Sequence, residues 1–222
     1  MNYKRITLLS GHYGSGKTNI AVNMAARLAG MNLKKKTALA DLDIVNPYFR
    51  SADSRSELEA FGVYLICSEY ANTNIDAPAM PQEMYSIVDD KEMTAVIDVG
   101  GDERGALALG RISDRIRQEA DYDMYLVINR FRPLTPDAES VLEVKKEIED
   151  ACRLPFTGII NCSNLGAETT AQVIRSSYGF ADEVSRLCKL PLRALAVSET
   201  LAGQITDAPC EIFPMRLQKR PV

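Results

Sequence analysis

"SGHYGSGKTN" occupies residues 10–19. Within it Gly11, four further residues, Gly16, Lys17 and Thr18 form the frame of a phosphate-binding loop, or Walker A motif. The spacing has a mechanical reason. Glycines let the backbone curl until successive N–H groups aim at phosphate oxygens, and a helix starting at the loop adds its positive N-terminal end. Gly14 and Ser15 complete the wrap. Lys17 offers charge to the β- and γ-phosphates, and Thr18 a hydroxyl ligand for Mg²⁺. The flanks agree with this reading. An apolar run, "RITLLS" (5–10), precedes the loop, and Ile20, Ala21, Met24, Ala25 and Leu28 behind it fall on one helical face.

Further along, short apolar runs alternate with longer amphipathic stretches, the pattern of βαβ units around a buried parallel sheet. The strand candidates are 5–10, 37–43, 62–68, 94–100, 122–129, 156–161 and 192–198. The expected fold is therefore α/β: a three-layer P-loop fold with a mostly parallel sheet of about seven strands and helices on both faces. The length of 222 residues suits one domain, 1–222. Gly30 is expected to close the first helix. Thr135-Pro136-Asp137 reads as a helix start with Pro at the first helical position, continued by Val141, Val144, Ile148 and Cys152. A third helix begins near Thr169. Residues 69–92, with Pro78 and Pro81, form the least regular stretch.

Composition excludes several roles. Lys and Arg number 26 against 30 Asp and Glu, a net charge of −4, which gives no general attraction to nucleic acid. Lys34-Lys35-Lys36 reads as a solvated turn. Cys67, Cys152, Cys162, Cys188 and Cys210 contain no Cys-x-x-Cys and read as reduced thiols of a cytosolic protein. The apolar run at the N-terminus meets the glycine loop too soon for a signal peptide, and no segment is long and apolar enough for a membrane span. The tail, "CEIFPMRLQKRPV", is too short and too broken by Pro214 and Pro221 for a membrane-surface helix. Neither nucleic acid nor a membrane is an expected partner.

A phosphate site needs a metal partner at the end of a neighbouring strand, and "AVIDVGGD" supplies Asp98, with Gly100 and Gly101 bringing N–H groups near the γ-phosphate. "ALADLDIVNPYFR" adds Asp41 and Asp43, two apart and so on one side of an extended chain, where one could hold an attacking water.

With "DLDIVNP", "IDVGGD", "GIIN" and "ALAVSET" in this order after the glycine loop, the whole chain resembles the ParA/MinD group of SIMIBI-class P-loop ATPases. "GHYGSGKT", "ADLDIVNPYFRS", "ALGR" and "NRFRPLT" make it similar to bacterial CobQ/CobB/MinD/ParA-domain ATP-binding members. The resemblance implies ATP and Mg²⁺ as cofactors. Gly11, Gly14, Ser15, Gly16, Lys17 and Thr18 would wrap the phosphates, Asp43 would position the attacking water, and Asp98 would bind Mg²⁺ through water. Asp41 would support them. Asn161 would read the adenine base, bordered by Ser198 and Glu199. The guanine-reading Asn-Lys-x-Asp pattern is missing from both "NRFR" and "NCSN", which favours ATP over GTP.

His12 departs from the group. There the position carries a signature lysine that reaches a partner's phosphates across an ATP-sandwiched homodimer. An imidazole is shorter and does not stand in for that lysine; Arg50, Arg104, Arg130 and Arg132 are the candidates to supply a cation from elsewhere. Tyr13 either packs over the loop or meets a partner. The reading is a slow Mg·ATP-dependent ATPase switch (ATP hydrolysed to ADP and phosphate) acting on a protein partner, with homodimerisation open. The alternatives are an ATP-dependent small-molecule kinase or ligase like dethiobiotin synthetase and the cobyrinic acid amidating enzymes, which also lack the lysine, and a noncatalytic nucleotide-binding scaffold.

Overall fold

Residues in the central strands point alternately to two apolar layers, and that alternation builds the molecule. In β1 (Ile6–Ser10), Ile6 and Leu8 enter one core layer and Leu9 the other; in β5 (Tyr122–Ile128), Met124, Leu126 and Ile128 oppose Tyr125 and Val127. A strand buried on both faces must be apolar throughout, which is why these runs read so clearly. The computed structural model describes residues 2–42, 55–67, 82–101 and 103–217.

The other strands are β2 (Lys36–Leu42), β3 (Val63–Cys67), β4 (Met93–Val99), β6 (Gly158–Asn161), β7 (Leu192–Ser198) and β8 (Glu211–Met215). They make one eight-stranded sheet in the order β3-β2-β4-β1-β5-β6-β7-β8, and each described pairing is parallel. One face is covered by α1 (Lys17–Met31) and α2 (Arg55–Ala60). The opposite core draws on α3 (Glu83–Asp89), α4 (Glu103–Leu109), α5 (Ser113–Glu119), α6 (Ala138–Cys152) and α8 (Tyr178–Cys188). Ile174 of α7 (Ala171–Arg175) and the partly buried Leu201 of α9 (Glu199–Ala202) join a smaller cluster against β7.

Three local expectations are corrected. β8 was not among the strand candidates; it is the outermost strand, where Pro214, a residue without an N–H, is tolerated. The first helix does not end at Gly30. It runs on to Met31, and Asn32 takes the left-handed conformation at φ 49°, one of the few non-glycine residues that does so readily. Pro136 lies before the cap of α6, whose first residue is Ala138; the Asp137 carboxylate accepts from the Ser140 N–H at 2.9 Å. α7 starts at Ala171, near the expected Thr169, with Thr170 accepting from the Val173 N–H. Within 69–92, α3 is regular helix; residues 68–81 lie outside the described residues.

At the N-terminal edge of the sheet, buried Arg5 forms a two-pronged pair with Glu119. Its Nη1 donates to the carbonyls of Ile87 at 2.8 Å and Met93 at 3.0 Å. This clamp joins β1, α3, β4 and α5 and leaves the opposite edge for chemistry.

Candidate functional site

Because the strands run one way, the C-terminal ends of β1, β4, β5, β6 and β7 open on the same edge. β1 sits between β4 and β5, so its following loop stands at the centre of that edge. Two glycines of the loop fit it closely. At Gly11, with φ 143°, a Cβ would lie 2.4 Å from the Val127 carbonyl oxygen of β5. At Gly16, with φ 102°, it would lie 2.6 Å from the Cys162 sulfur. Neither position has room for a side chain. Gly101 closes the β4 side: a Cβ there would meet the Gly11 oxygen at 2.6 Å and the Tyr13 nitrogen at 2.7 Å.

Lys17 and Thr18 open α1 and are buried. The Lys17 ammonium donates to the carbonyls of Gly11 at 3.0 Å and His12 at 3.3 Å, which keeps a positive charge inside the loop. The Thr18 hydroxyl donates to Asp98 Oδ2 at 2.6 Å, and Asp98 is 0% exposed. Residues 80 apart in sequence thereby meet at one point. Asp41 stands in register with Asp98 on the adjacent strand, so both belong to the α1 face. Asp43 and Arg50 lie outside the described residues.

A phosphate and Mg²⁺ fit what is present. The cradle has no room for side chains, and the Ser15 hydroxyl is buried with no hydrogen-bond partner among the described residues. An anion lying in the loop would give that hydroxyl an acceptor. Thr18 and Asp98 offer the hydroxyl and carboxylate oxygens that suit Mg²⁺, an ion that keeps several waters and needs few protein ligands.

On the β5 and β6 side, the turns are laced together. Asn129 is buried; its Oδ1 accepts from the N–H groups of Phe131 at 3.0 Å and Asn164 at 3.3 Å. Ser163 Oγ accepts from the Arg130 N–H at 3.0 Å. Asn161 is buried too: its Nδ2 donates to Ser177 Oγ at 2.8 Å, and its Oδ1 accepts from Ser163 N at 3.0 Å and Ser163 Oγ at 2.7 Å. Half-buried Asn164 follows, with Nδ2 on the Cys162 carbonyl at 2.8 Å. Burial pushes the Cys162 thiol up to about 12, against the smaller pull of the Arg132 charge and the Asn164 amide, so the sulfur under Gly16 is a neutral packing group. Ser198 caps α9, and Glu199 pairs with Arg216 at 3.3 Å.

The arginines named as substitute cations separate. Arg132 Nε donates to the Gly14 carbonyl at 2.6 Å and so touches the loop. Arg130 Nη1 donates to the Ser176 carbonyl at 2.9 Å, toward the α7–α8 turn, and Arg104 is exposed on α4. His12 Nδ1 lies 3.1 Å from the Tyr13 oxygen, and Tyr13 is exposed. The bracing by Arg132 and the role of Asn129 were not read from the sequence. Both sit in "NRFRPLT", where the only available signal was a polar turn directly after a buried strand.

No protein-family model matches the chain, and no curated protein matches it. Solved structures do. FtsY from Mycoplasma mycoides is 20% identical with a TM-score of 0.54, over 89% of this chain and 61% of that one. The signal recognition particle 54 kDa protein from Aeropyrum pernix, in complex with GDP, is 17% identical with a TM-score of 0.54, over 86% of this chain and 41% of that one. FlhF complexed with GTP and Mg²⁺ is 15% identical with a TM-score of 0.52, over 86% of this chain and 64% of that one. This chain thus spans less than two thirds of each. At such identities the likeness is one of fold, and the fold is that of P-loop nucleoside triphosphatases.

Proposed function

We propose that this chain binds Mg·ATP at the glycine loop and acts as a slow ATPase switch read by a protein partner. One observation carries the reading: the Thr18 hydroxyl meets the fully buried Asp98 carboxylate at 2.6 Å beside the inward-held Lys17 ammonium. A buried acid of this kind is costly unless it serves a cation or a hydrogen-bond network. In this reading Gly11, Gly14, Ser15, Gly16 and Lys17 hold the phosphates, Thr18 and Asp98 hold Mg²⁺, and Gly101 lends its N–H beside the γ-phosphate. Mg²⁺ there supplies charge neutralisation on the phosphate oxygens. Asp43 orients the attacking water, and Asn161 with the Ser198–Glu199 turn borders the base. No described helix is long and apolar enough to cross a membrane, and a cytosolic location is part of the proposal.

GTP is a second reading, supported by the GDP and GTP found in the structural neighbours. The absence of Asn-Lys-x-Asp favours ATP. Competition between the two nucleotides for one site decides which is held more tightly.

The primary test is phosphate release from Mg·ATP by the purified protein, beside Lys17→Ala and Asp43→Ala. Slow release abolished by both substitutions is the expected result. Binding without release, with and without candidate partners, would instead indicate a kinase, a ligase or a scaffold. Such release also speaks to His12, because it would proceed without the signature lysine. Sedimentation with ADP and with a nonhydrolysable ATP analogue tests whether a homodimer forms in the triphosphate state.

A further inference from the structure

We propose that Arg132 is a wall of the base subsite: its guanidinium, braced on the glycine loop, stacks on the purine of the bound nucleotide and holds adenine and guanine alike. This rests on the nucleotide-binding reading above and adds a residue and a mode of recognition to it.

The bracing is direct. Arg132 Nε donates to the Gly14 carbonyl at 2.6 Å, and a Cβ at Gly14 would stand 3.1 Å from Nε, 3.2 Å from Cζ and 3.5 Å from Cδ. The end of the side chain therefore lies along the loop backbone, packed against it. Its own turn is fixed as well: Arg132 N donates to the Asn129 carbonyl at 3.2 Å, and the Thr135 N–H donates to the Arg132 carbonyl at 3.2 Å. A side chain already held in one place loses little freedom when a ligand arrives.

Its turn stands on the side of the loop opposite the strand that carries the metal carboxylate. β1 separates β4, which carries Asp98 and Gly101, from β5, whose following turn carries Arg132. Arg132 thus reaches the loop from the β5 side, the side on which the β6 turn with Cys162 also lies. In the stretch Asn161-Cys162-Ser163-Asn164, the position where a guanine-reading motif has lysine is a cysteine buried under Gly16. That cysteine cannot cover a base. Arg132 reaches the same region from the neighbouring strand with a long planar cation. Among the described residues, no hydrogen bond or ion pair holds its Nη1 or Nη2. A guanidinium plane stacks on π-systems of any purine, so it contributes affinity without reading the base edge.

The test compares dissociation constants of Mg·ATP, Mg·GTP and Mg·tripolyphosphate for the parent, Arg132→Ala and Arg132→Phe, with melting temperatures alongside. Arg132→Ala is expected to weaken whichever purine nucleotides the parent binds by about tenfold, and tripolyphosphate by less than about twofold. Arg132→Phe, which keeps a flat surface but cannot donate to Gly14, is expected to recover nucleotide binding to within about threefold of the parent. Should Arg132→Ala not fold, Arg132→Lys, with the charge but no plane, replaces it in the comparison. Equal losses for tripolyphosphate and nucleotide would make Arg132 a phosphate cation and overturn the proposal. Loss of one purine alone, unchanged binding, or a folded Arg132→Phe that binds no better than Arg132→Ala would overturn it too. A parent that binds none of the three would remove the nucleotide reading itself; a parent that binds them while Arg132→Ala does not differ removes only this inference.

Discussion

At Gly16 three demands meet: a left-handed φ of 102°, the start of α1, and a buried sulfur 2.6 Å from where a Cβ would stand. Gly16→Ala is expected to destabilise the fold by about 2 kcal/mol or more, since the strained backbone and the contact with Cys162 both oppose it. Urea unfolding measures the loss, and recovery in Gly16→Ala with Cys162→Ala would trace part of it to the sulfur. Cys162 itself makes a prediction about pH. Its thiol is pushed up to about 12 by burial, so below that it stays protonated, and protonated thiols are poor nucleophiles. In the native protein at pH 8 a maleimide should leave Cys162 unlabelled while labelling it in urea, as peptide mass mapping would show. Residue by residue, the meeting of the loop with Asp98 could be anticipated, because the proposed chemistry asks for one residue type at one place and Thr18 does contact Asp98. Arg132 was legible only as one of four arginines: its partner Gly14 lies 118 positions away, and a carbonyl contact leaves no mark on composition.

The elements were readable in proportion to their burial. Central strands such as β1, β4 and β5 are apolar for physical reasons and fell within a residue or so of their expected bounds. β8 escaped because an edge strand need not carry the continuous apolar run of a central one and tolerates Pro214. Helix ends misled as well: Asn32 took the capping task expected of Gly30, and Asp137 caps α6, which leaves Pro136, expected as its first residue, outside it. The Arg5 clamp gives the element-scale prediction. Arg5→Met should cost about 3 kcal/mol or more, because the partly buried Glu119 is left with Lys91 in place of the two-pronged Arg5 pair and the carbonyls of Ile87 and Met93 lose the Arg5 donor. Burial pushes the Glu119 carboxyl up, but its hydrogen bonds and charge attraction to Arg5 and Lys91 outweigh that and hold it below its ordinary value of 4.5. A depressed folded value means the stabilisation is complete above about 4.5 and is lost as pH falls through the folded value. The stability gap between the parent and Glu119→Gln should therefore be constant from pH 7 to about 5 and narrow as the pH falls further, read from urea midpoints.

For the molecule as a whole, the parallel sheet divides labour between its two edges. One edge holds the Arg5 clamp; the other holds the glycine loop with the inward-held Lys17 ammonium, the buried Ser15 hydroxyl and buried Asp98. Burying such groups costs stability in the free protein, and a ligand that engages them returns it. Mg·ATP at a hundred times its dissociation constant should stabilise the fold by about 2.7 kcal/mol. For a chain of 222 residues that is a rise of about 5–10 °C in melting temperature. The rise should shrink when Mg²⁺ is chelated and vanish in Lys17→Ala. Asp98→Asn should separate the two contributions: it removes the charge that fits Mg²⁺ but keeps a group that can accept from Thr18, so stabilisation by ATP should lose its dependence on Mg²⁺. A full Mg²⁺-dependent rise in Asp98→Asn would place the metal elsewhere and leave the buried carboxylate as a structural partner of Thr18.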